Sequence, residues 1–178
     1  MTLAVFDGQQ LKSLIRDIPD FPKPGILFRD ITPLLQNGPT LRTVIDRFAE
    51  RYAGSRVDAV VAVESRGLIF GAPLAYRLGV GLIPVRKAGK LPAKTVRATY
   101  TLEYGEGVLE IHADSLSAGK RVLLIDDLLA TGGTMGAVVS LMEQFRAEIV
   151  EVAFLVELTA LGGRAKLGTH PVFAPVQY

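Results

Sequence analysis

The sequence predicts an α/β protein built on a doubly wound, mainly parallel sheet flanked by helices. After Gly54, short unbroken apolar runs recur: AVVAV (59–63), GLIPV (81–85), VLLI (122–125) and VEVAFLV (150–156). Runs of that length, rich in Val and Ile and without alternation, suit strands covered on both faces, as in a parallel sheet. Helical spacing falls between them, around Leu68 to Leu78 and Met135 to Phe145. Strand and helix alternate, which implies helices on both sheet faces and right-handed crossovers. Composition sets the scale: 178 residues, 49% hydrophobic and 21% charged, fit one domain, 1–178, with a substantial core.

Taken in chain order, Leu11, Leu14, Ile15 and Ile18 are spaced as one face of a first helix. Leu41, Val44, Ile45, Phe48 and Tyr52 are spaced as one face of a second. Between them, the prolines of FPKPGILFRDITPLL (21–35) forbid a continuous helix, so an ordered but irregular segment is expected. TYTLEYGEGVLEI (99–111) alternates in part around Gly105 and Gly107 and reads as a polar hairpin or mobile flap. It follows PVRKAGKLPAKTVR (84–97), a basic loop punctuated by Pro and Gly. There is no internal repeat, low-complexity tract or linker.

Charge and cysteine usage narrow the chemistry. A net charge of +2 and a pI near 9.0 come from Lys and Arg residues spread along the chain, which suits small anionic ligands better than nucleic acid. With no cysteine, disulfides, thiolate metal sites and thiol catalysis are excluded. The first residues lack the features of a signal peptide, and no window holds the roughly 18 apolar residues a membrane helix needs. A soluble, cytoplasmic protein without membrane or nucleic-acid partners is expected.

The stretch richest in chemistry is VLLIDDLLATGGT (122–134). In an open parallel sheet, ligands gather beyond the carboxyl ends of strands, and Asp126 and Asp127 stand at such an end. Ala130, Thr131, Gly132, Gly133 and Thr134 then form a small-residue turn entering a helix. Backbone N–H groups there can converge on one oxyanion, and the helix dipole adds about half a positive charge. The loop lacks the GK[S/T] ending of nucleotide triphosphate loops and the GxGxxG of dinucleotide folds, so it is sized for a single phosphate monoester. Carboxylates accept from sugar hydroxyls, and a divalent cation would neutralise them while bridging to the same sugar. A phosphorylated ribose satisfies both halves of the string, although an adjacent Asp-Asp alone also serves as a turn cap.

A second turn, Glu64, Ser65, Arg66 and Gly67 after AVVAV, carries a hydroxyl, a guanidinium and a glycine suited to polyphosphate oxygens. These four residues fit an N-cap serine with a solvated arginine equally well.

VLLIDDLLATGGT resembles the phosphoribosyl pyrophosphate signature of the type I phosphoribosyltransferases. FPKPGILFRDITPLL, ESRGLIFGAPLAYRLG, PVRKAGKLP, YTLEYG and LVELTALGGR resemble the adenine branch of that family, in the family's order, from about Phe21 to Gln177. The resemblance implies a type I phosphoribosyltransferase-like fold with a small N-terminal hood, residues about 1–36, and a flexible flap, the segment from Lys94 to Ile111. It implies a purine salvage enzyme that transfers the 5-phosphoribosyl group from phosphoribosyl pyrophosphate to adenine, giving AMP and pyrophosphate. Mg2+ would be the cofactor, bound mainly through substrate near Asp126 and Asp127, and a homodimer would be the assembly.

Carried over by position, Asp126 and Asp127 take the ribose hydroxyls, and residues 130–134 take the 5-phosphate. Glu64, Ser65, Arg66 and Gly67 take pyrophosphate, with Arg86, Lys87 and Lys90 contacting it from a basic loop that a neighbouring subunit can supply. Phe28 stacks on the purine, backbone groups of Leu27 and Arg29 read its edge, and Leu161 covers the opposite side. Glu103 handles the purine proton beside Tyr104 in the flap. Two other classes stay open: an enzyme acting on hypoxanthine, guanine or xanthine, and a nucleotide-sensing regulator that binds nucleic acid. His112 and His170 fit no ligand pattern.

Overall fold

A computed structural model describes residues 8–101 and 106–178. Its centre is an eight-stranded sheet. Strands β3 (Ala59–Val63), β4 (Gly81–Lys87), β7 (Arg121–Leu129) and β8 (Glu148–Glu157) are parallel, in the order β8-β7-β3-β4. The outer edge of β8 is paired in succession by the two-residue strands β9 (Val172–Phe173) and β10 (Val176–Gln177). At the other edge, β4 pairs antiparallel with β6 (Glu106–His112), which pairs with β5 (Thr95–Thr101).

Alternation along these strands divides the core in two. Val61, Val63, Val122, Leu124, Val152 and Phe154 face α5 (Gly133–Gln144). Val60, Ala62, Leu123, Ile125, Ala153 and Leu155 face α3 (Gly38–Tyr52) and α4 (Arg66–Leu78). The runs AVVAV and VLLI are therefore explained as expected, since both faces of those strands are buried, whereas Leu82 of GLIPV is exposed and VEVAFLV admits the buried Glu151.

Helix limits follow local chemistry. At the start of α3 the Asn37 side chain accepts from the Thr40 N–H at 3.0 Å, and Pro39 occupies the first turn, where its missing N–H costs nothing. Helix α4 ends on Gly79 in the left-handed region, φ 68°. Gly71 sits where α4 meets β3; a Cβ there would lie 2.5 Å from Ala62 Cβ.

Two sequence readings are corrected. The first helix, α1 (Gly8–Lys12), is one turn and a half, and Ile18 instead lies in strand β1 (Arg16–Ile18), paired antiparallel with β2 (Phe28–Asp30). Tertiary pairing overrides the helical spacing, with Arg16 held by Asp30 at 2.8 Å across the ribbon. The irregular segment also contains α2 (Thr32–Gln36), with Pro33 in its first turn.

The hairpin β5–β6 is not wholly polar. Ala98, Leu109 and Ile111 join the core under α5, and Glu110 is buried, accepting from the Gly89 N–H at 2.9 Å and pairing with its cross-strand neighbour Arg97 at 2.7 Å. Burial on one face was hidden because β-branched and polar residues alternate imperfectly around Gly107, whose missing Cβ makes room for the Tyr100 ring.

A candidate active site at the carboxyl ends of the strands

Asp126 and Asp127 lie inside β7, which continues to Leu129 against β8. On the opposite side, the ladder with β3 stops at Ala62 and Ile125. The acids are thus held by β8 on one edge and open on the other, where β3 turns away into Glu64 to Gly67. That turn comes very close: a Cβ on Gly67 would sit 2.9 Å from both Asp126 Oδ1 and the Ile125 carbonyl, so only glycine lets α4 start here.

The result is a polar cavity of about 310 Å3 lined by Glu64, Ser65, Arg66, Lys87, Asp126, Asp127 and Thr134. Tyr100 and Leu109, from the hairpin, complete its wall together with Val63. Gly132 adopts φ 78° before α5, and a Cβ there would fall 2.2 Å from the Gly163 carbonyl. Gly163 in turn passes 2.2 Å, by the same measure, from the Ala130 carbonyl. Two glycine backbones therefore interlock to set the 130–134 turn. The first N–H groups of α5 have no acceptor within the helix and, with its dipole, make an electropositive wall. Thr131 is exposed, while Gly132 is buried.

Charges in the cavity are prearranged. Arg66 Nε donates to Asp127 Oδ2 at 2.5 Å, and Asp127 is 5% exposed. Asp126 Oδ1 accepts from the Asp127 N–H at 2.9 Å. Burial first, and the neighbouring Asp127 charge second, push the Asp126 carboxyl well above the ordinary aspartate range. Burial would also raise Glu64, but the Lys87 N–H at 2.8 Å and the Arg86 guanidinium at 2.7 Å outweigh it and hold Glu64 below its ordinary value. Arg86 Nη1 also donates to the Lys90 carbonyl at 3.1 Å, which closes the basic loop. Lys87 reaches the cavity; Lys90 is exposed outside its lining.

A second cavity, about 500 Å3 and mostly apolar, adjoins the first through Arg66, which lines both. Its other walls are Ile18, Phe21, Phe28, Arg29, Asp30, Ile31, Thr32, Leu35 and Ile69. Phe21 and Phe28 meet edge to face with centroids 5.1 Å apart. Of the four residues expected at a purine, Phe28 and Arg29 line this cavity. Leu27 and Leu161 are about half exposed, at 44% and 50%, outside both linings. Glu103 and Tyr104 lie outside the described residues.

Sequence reasoning missed Tyr100, Phe21 and Ile69 as lining residues. The pair Phe21 and Phe28, bracketing PKPGIL, was the available signal: a proline-forced turn brings its flanking aromatics together. Two adjacent carboxylates, Asp126 and Asp127, are hard oxygen donors of the kind Mg2+ uses together with substrate oxygens. Among the described residues no group of three or more His, Cys, Asp or Glu could hold a metal alone.

A twisted sheet carrying an acid pair and a glycine-built amide cradle at its carboxyl edge is the architecture of a phosphoribosyl transferase, and residues 32–169 match the phosphoribosyl transferase domain family. The chain is 58% identical over 170 residues to an adenine phosphoribosyltransferase of Chloroflexus aurantiacus, covering 96% of this chain and 98% of that one. The crystal structure of the Thermoanaerobacter pseudethanolicus adenine phosphoribosyltransferase superposes with a TM-score of 0.92 at 48% identity, covering 96% and 99% of the two chains. That of the Saccharomyces cerevisiae enzyme, complexed with an imino-altritol bisphosphate and adenine, does so with 0.90 at 42% identity, covering 95% and 98%. The chain belongs to the adenine phosphoribosyltransferase family.

Proposed function

We propose that this chain transfers the 5-phosphoribosyl group from phosphoribosyl pyrophosphate to adenine, forming AMP and pyrophosphate in purine salvage. The observation that carries the reading is the meeting of two unlike cavities at Arg66, one polar and acid-lined, the other apolar and aromatic. A sugar carrying a 5-phosphate and a 1-pyrophosphate, and a purine, need those two environments side by side, with the sugar C1 at their junction. Relatives named for adenine, and the yeast structure holding adenine, support adenine as the base.

In this reading Asp126 and Asp127 accept from the ribose hydroxyls, and the amides of residues 130–134 hold the 5-phosphate. Ser65, Arg66, Gly67 and Lys87 face pyrophosphate. Glu64, an acceptor already engaged by Arg86 and the Lys87 amide, acts as a bracket that fixes the Arg86 side chain and the Lys87 backbone rather than as a pyrophosphate ligand. Phe28 stacks on the base while backbone groups of Leu27 and Arg29 read its edge and Leu161 covers it. As the bond from C1 to pyrophosphate breaks, negative charge grows on the leaving group, where Arg66 and Lys87 stabilise it by preorganised charge. Mg2+ would be held at substrate oxygens beside Asp126 and Asp127 and would supply charge neutralisation there. Tyr100 and the hairpin limit water, which would otherwise divert the sugar to hydrolysis. Glu103 assists the purine proton, with Tyr104 beside it.

The chain works as one catalytic unit in the cytoplasm, with residues about 1–36 as the base-binding hood. No helix of the described residues is long and apolar enough to cross a membrane. A homodimer is supported by Tyr76, which is 86% exposed on α4. Sizing of the wild type against Tyr76→Glu tests that assembly.

The deciding experiment is an assay of AMP formation from phosphoribosyl pyrophosphate with adenine, hypoxanthine and guanine, with and without Mg2+. Metal-dependent turnover of adenine, at least about a thousandfold over the 6-oxo bases, is expected, because a buried edge that reads one hydrogen-bond pattern rejects the reverse. Equal turnover of the three bases, or none, overturns the reading.

A further inference from the structure

We propose that Tyr178 is a positioning residue for the base, tying the hood strand β2 to the turn that carries Leu161. The proposal rests on the reading of the apolar cavity as the base site.

The hood ribbon needs an outside tie. Strands β1 and β2 have three residues each and, among the described residues, pair only with one another, and a two-stranded ribbon of that length is marginal in water. Tyr178 follows β10, whose parallel pairing with β8 fixes it at the sheet edge. Its backbone is held three ways: its N–H donates to the Glu157 carbonyl at 3.0 Å, and its carbonyl accepts from the Thr159 N–H at 2.9 Å and the Thr159 hydroxyl at 2.6 Å. Thr159 opens the short 3-10 turn Thr159–Leu161.

The Tyr178 ring reaches the hood. The Arg29 guanidinium lies over it, 3.7 Å from the centroid, and Lys12 Nζ of α1 lies 4.8 Å away. Arg29 is also paired with Asp17, its cross-strand partner in β1. With its side chain gripped on two sides, the Arg29 backbone is set at a fixed distance from the sheet. Arg29 lines the base cavity, so a loosened grip lets that wall drift, while the phosphate cradle, set by β7, α5 and the Gly132–Gly163 contact, keeps its own supports. The contact is made by the ring face, so Phe can replace Tyr and Leu cannot.

The test measures KM for adenine and for phosphoribosyl pyrophosphate, kcat and Tm in Tyr178→Leu, Tyr178→Phe and Phe28→Ala. Tyr178→Leu is expected to raise the adenine KM roughly five- to tenfold, the factor a partly buried cation–π contact is worth, and to leave the other KM within about twofold. Tyr178→Phe is expected to restore the adenine KM. An unchanged adenine KM in Tyr178→Leu, a parallel rise of both KM values, or a Phe variant as impaired as the Leu variant each overturns the proposal. Phe28→Ala separates the two readings. If it leaves the adenine KM unchanged, the base-site assignment itself fails; if it raises that KM while Tyr178→Leu does not, only the positioning role fails. Should Tyr178→Leu not fold, Thr159→Val removes the 2.6 Å hydroxyl bond instead. A two- to threefold rise in the adenine KM alone is then expected, and a wild-type value overturns the proposal.

Discussion

The Arg66 guanidinium is anchored in one cavity and faces the other: its Nε donates to Asp127 at 2.5 Å, while its Cζ lies 5.8 Å from the centroid of the Phe28 ring. A single side chain thus touches the walls proposed for the sugar and for the base. Arg66→Met should raise both KM values and leave Asp127 unpaired beside Asp126. Because Arg66 is 45% exposed, water screens the pair, and the stability loss should be only about 1–2 kcal/mol. Steady-state kinetics with both substrates, alongside thermal unfolding, would show the idea wrong if only one KM moved.

Asp126 makes a trade between stability and function visible. Its folded carboxyl takes a proton at higher pH than an unfolded aspartate does, so ionising it costs stability as pH rises through that window, and the cost persists at neutrality. Asp126→Asn keeps an acceptor for the Asp127 amide and removes the charge. It should raise Tm at pH 7 by roughly 2–4 °C, the shift that about 1 kcal/mol gives in a chain of this size, with less gain near pH 4. The same variant should lose phosphoribosyl pyrophosphate binding. A calorimetric scan showing a lower Tm at pH 7 would contradict the assignment.

The interlocked glycines should fail as a pair. A methyl at Gly132 meets the Gly163 carbonyl at 2.2 Å and also strains a residue at φ 78°; a methyl at Gly163 meets the Ala130 carbonyl at 2.2 Å. The backbone conformation alone costs Gly132→Ala about 1–2 kcal/mol, to which the clash adds. Both Ala variants should weaken phosphoribosyl pyrophosphate binding at least about tenfold, since the cradle depends on N–H directions. Titration calorimetry of the two variants reads this directly, and normal affinity in either one would separate the turn from its neighbour.

Acid sensitivity has a named source away from the site. Glu151, 8% exposed, accepts from Arg51 at 2.6 and 2.7 Å and from the Tyr52 hydroxyl at 2.6 Å. Burial would raise its carboxyl, but those hydrogen bonds and the Arg51 charge hold it below its ordinary value of 4.5. A depressed carboxylate stabilises the fold above its unfolded pKa, and that stability is lost as pH falls through the lower folded value. Glu151→Gln should therefore cost about 1–2 kcal/mol at pH 7 and progressively less below pH about 4.5. Denaturant melts at pH 7 and pH 3.5 check it; a constant difference would assign the acid step to other groups.

Much of this was legible in the chain itself. Unbroken runs such as AVVAV and VLLI fixed which segments are strands buried on both faces, because a residue with no polar neighbour has no place at a wet surface. VLLIDDLLATGGT placed acids and amides toward one strand end because parallel topology allows few other arrangements, although β7 runs past both acids to Leu129. Where short segments compete, local pattern fails. Ile18 is spaced as a helical residue, yet it pairs with Phe28, since a turn and a half of helix gains less than cross-strand packing and the Arg16–Asp30 pair.

The order of residues alone determined the four central strands, the helices between them and the acid and glycine string that runs from β7 into α5. Tertiary structure decided that Arg66 joins two cavities, that Glu64 turns its charge toward Arg86, and that Gly163 must be small for Gly132 to make its turn. Burial and backbone period act over a few neighbouring positions, so they are written locally. Contacts between residues tens of positions apart depend on how whole elements come to rest against each other, and only the folded chain records that.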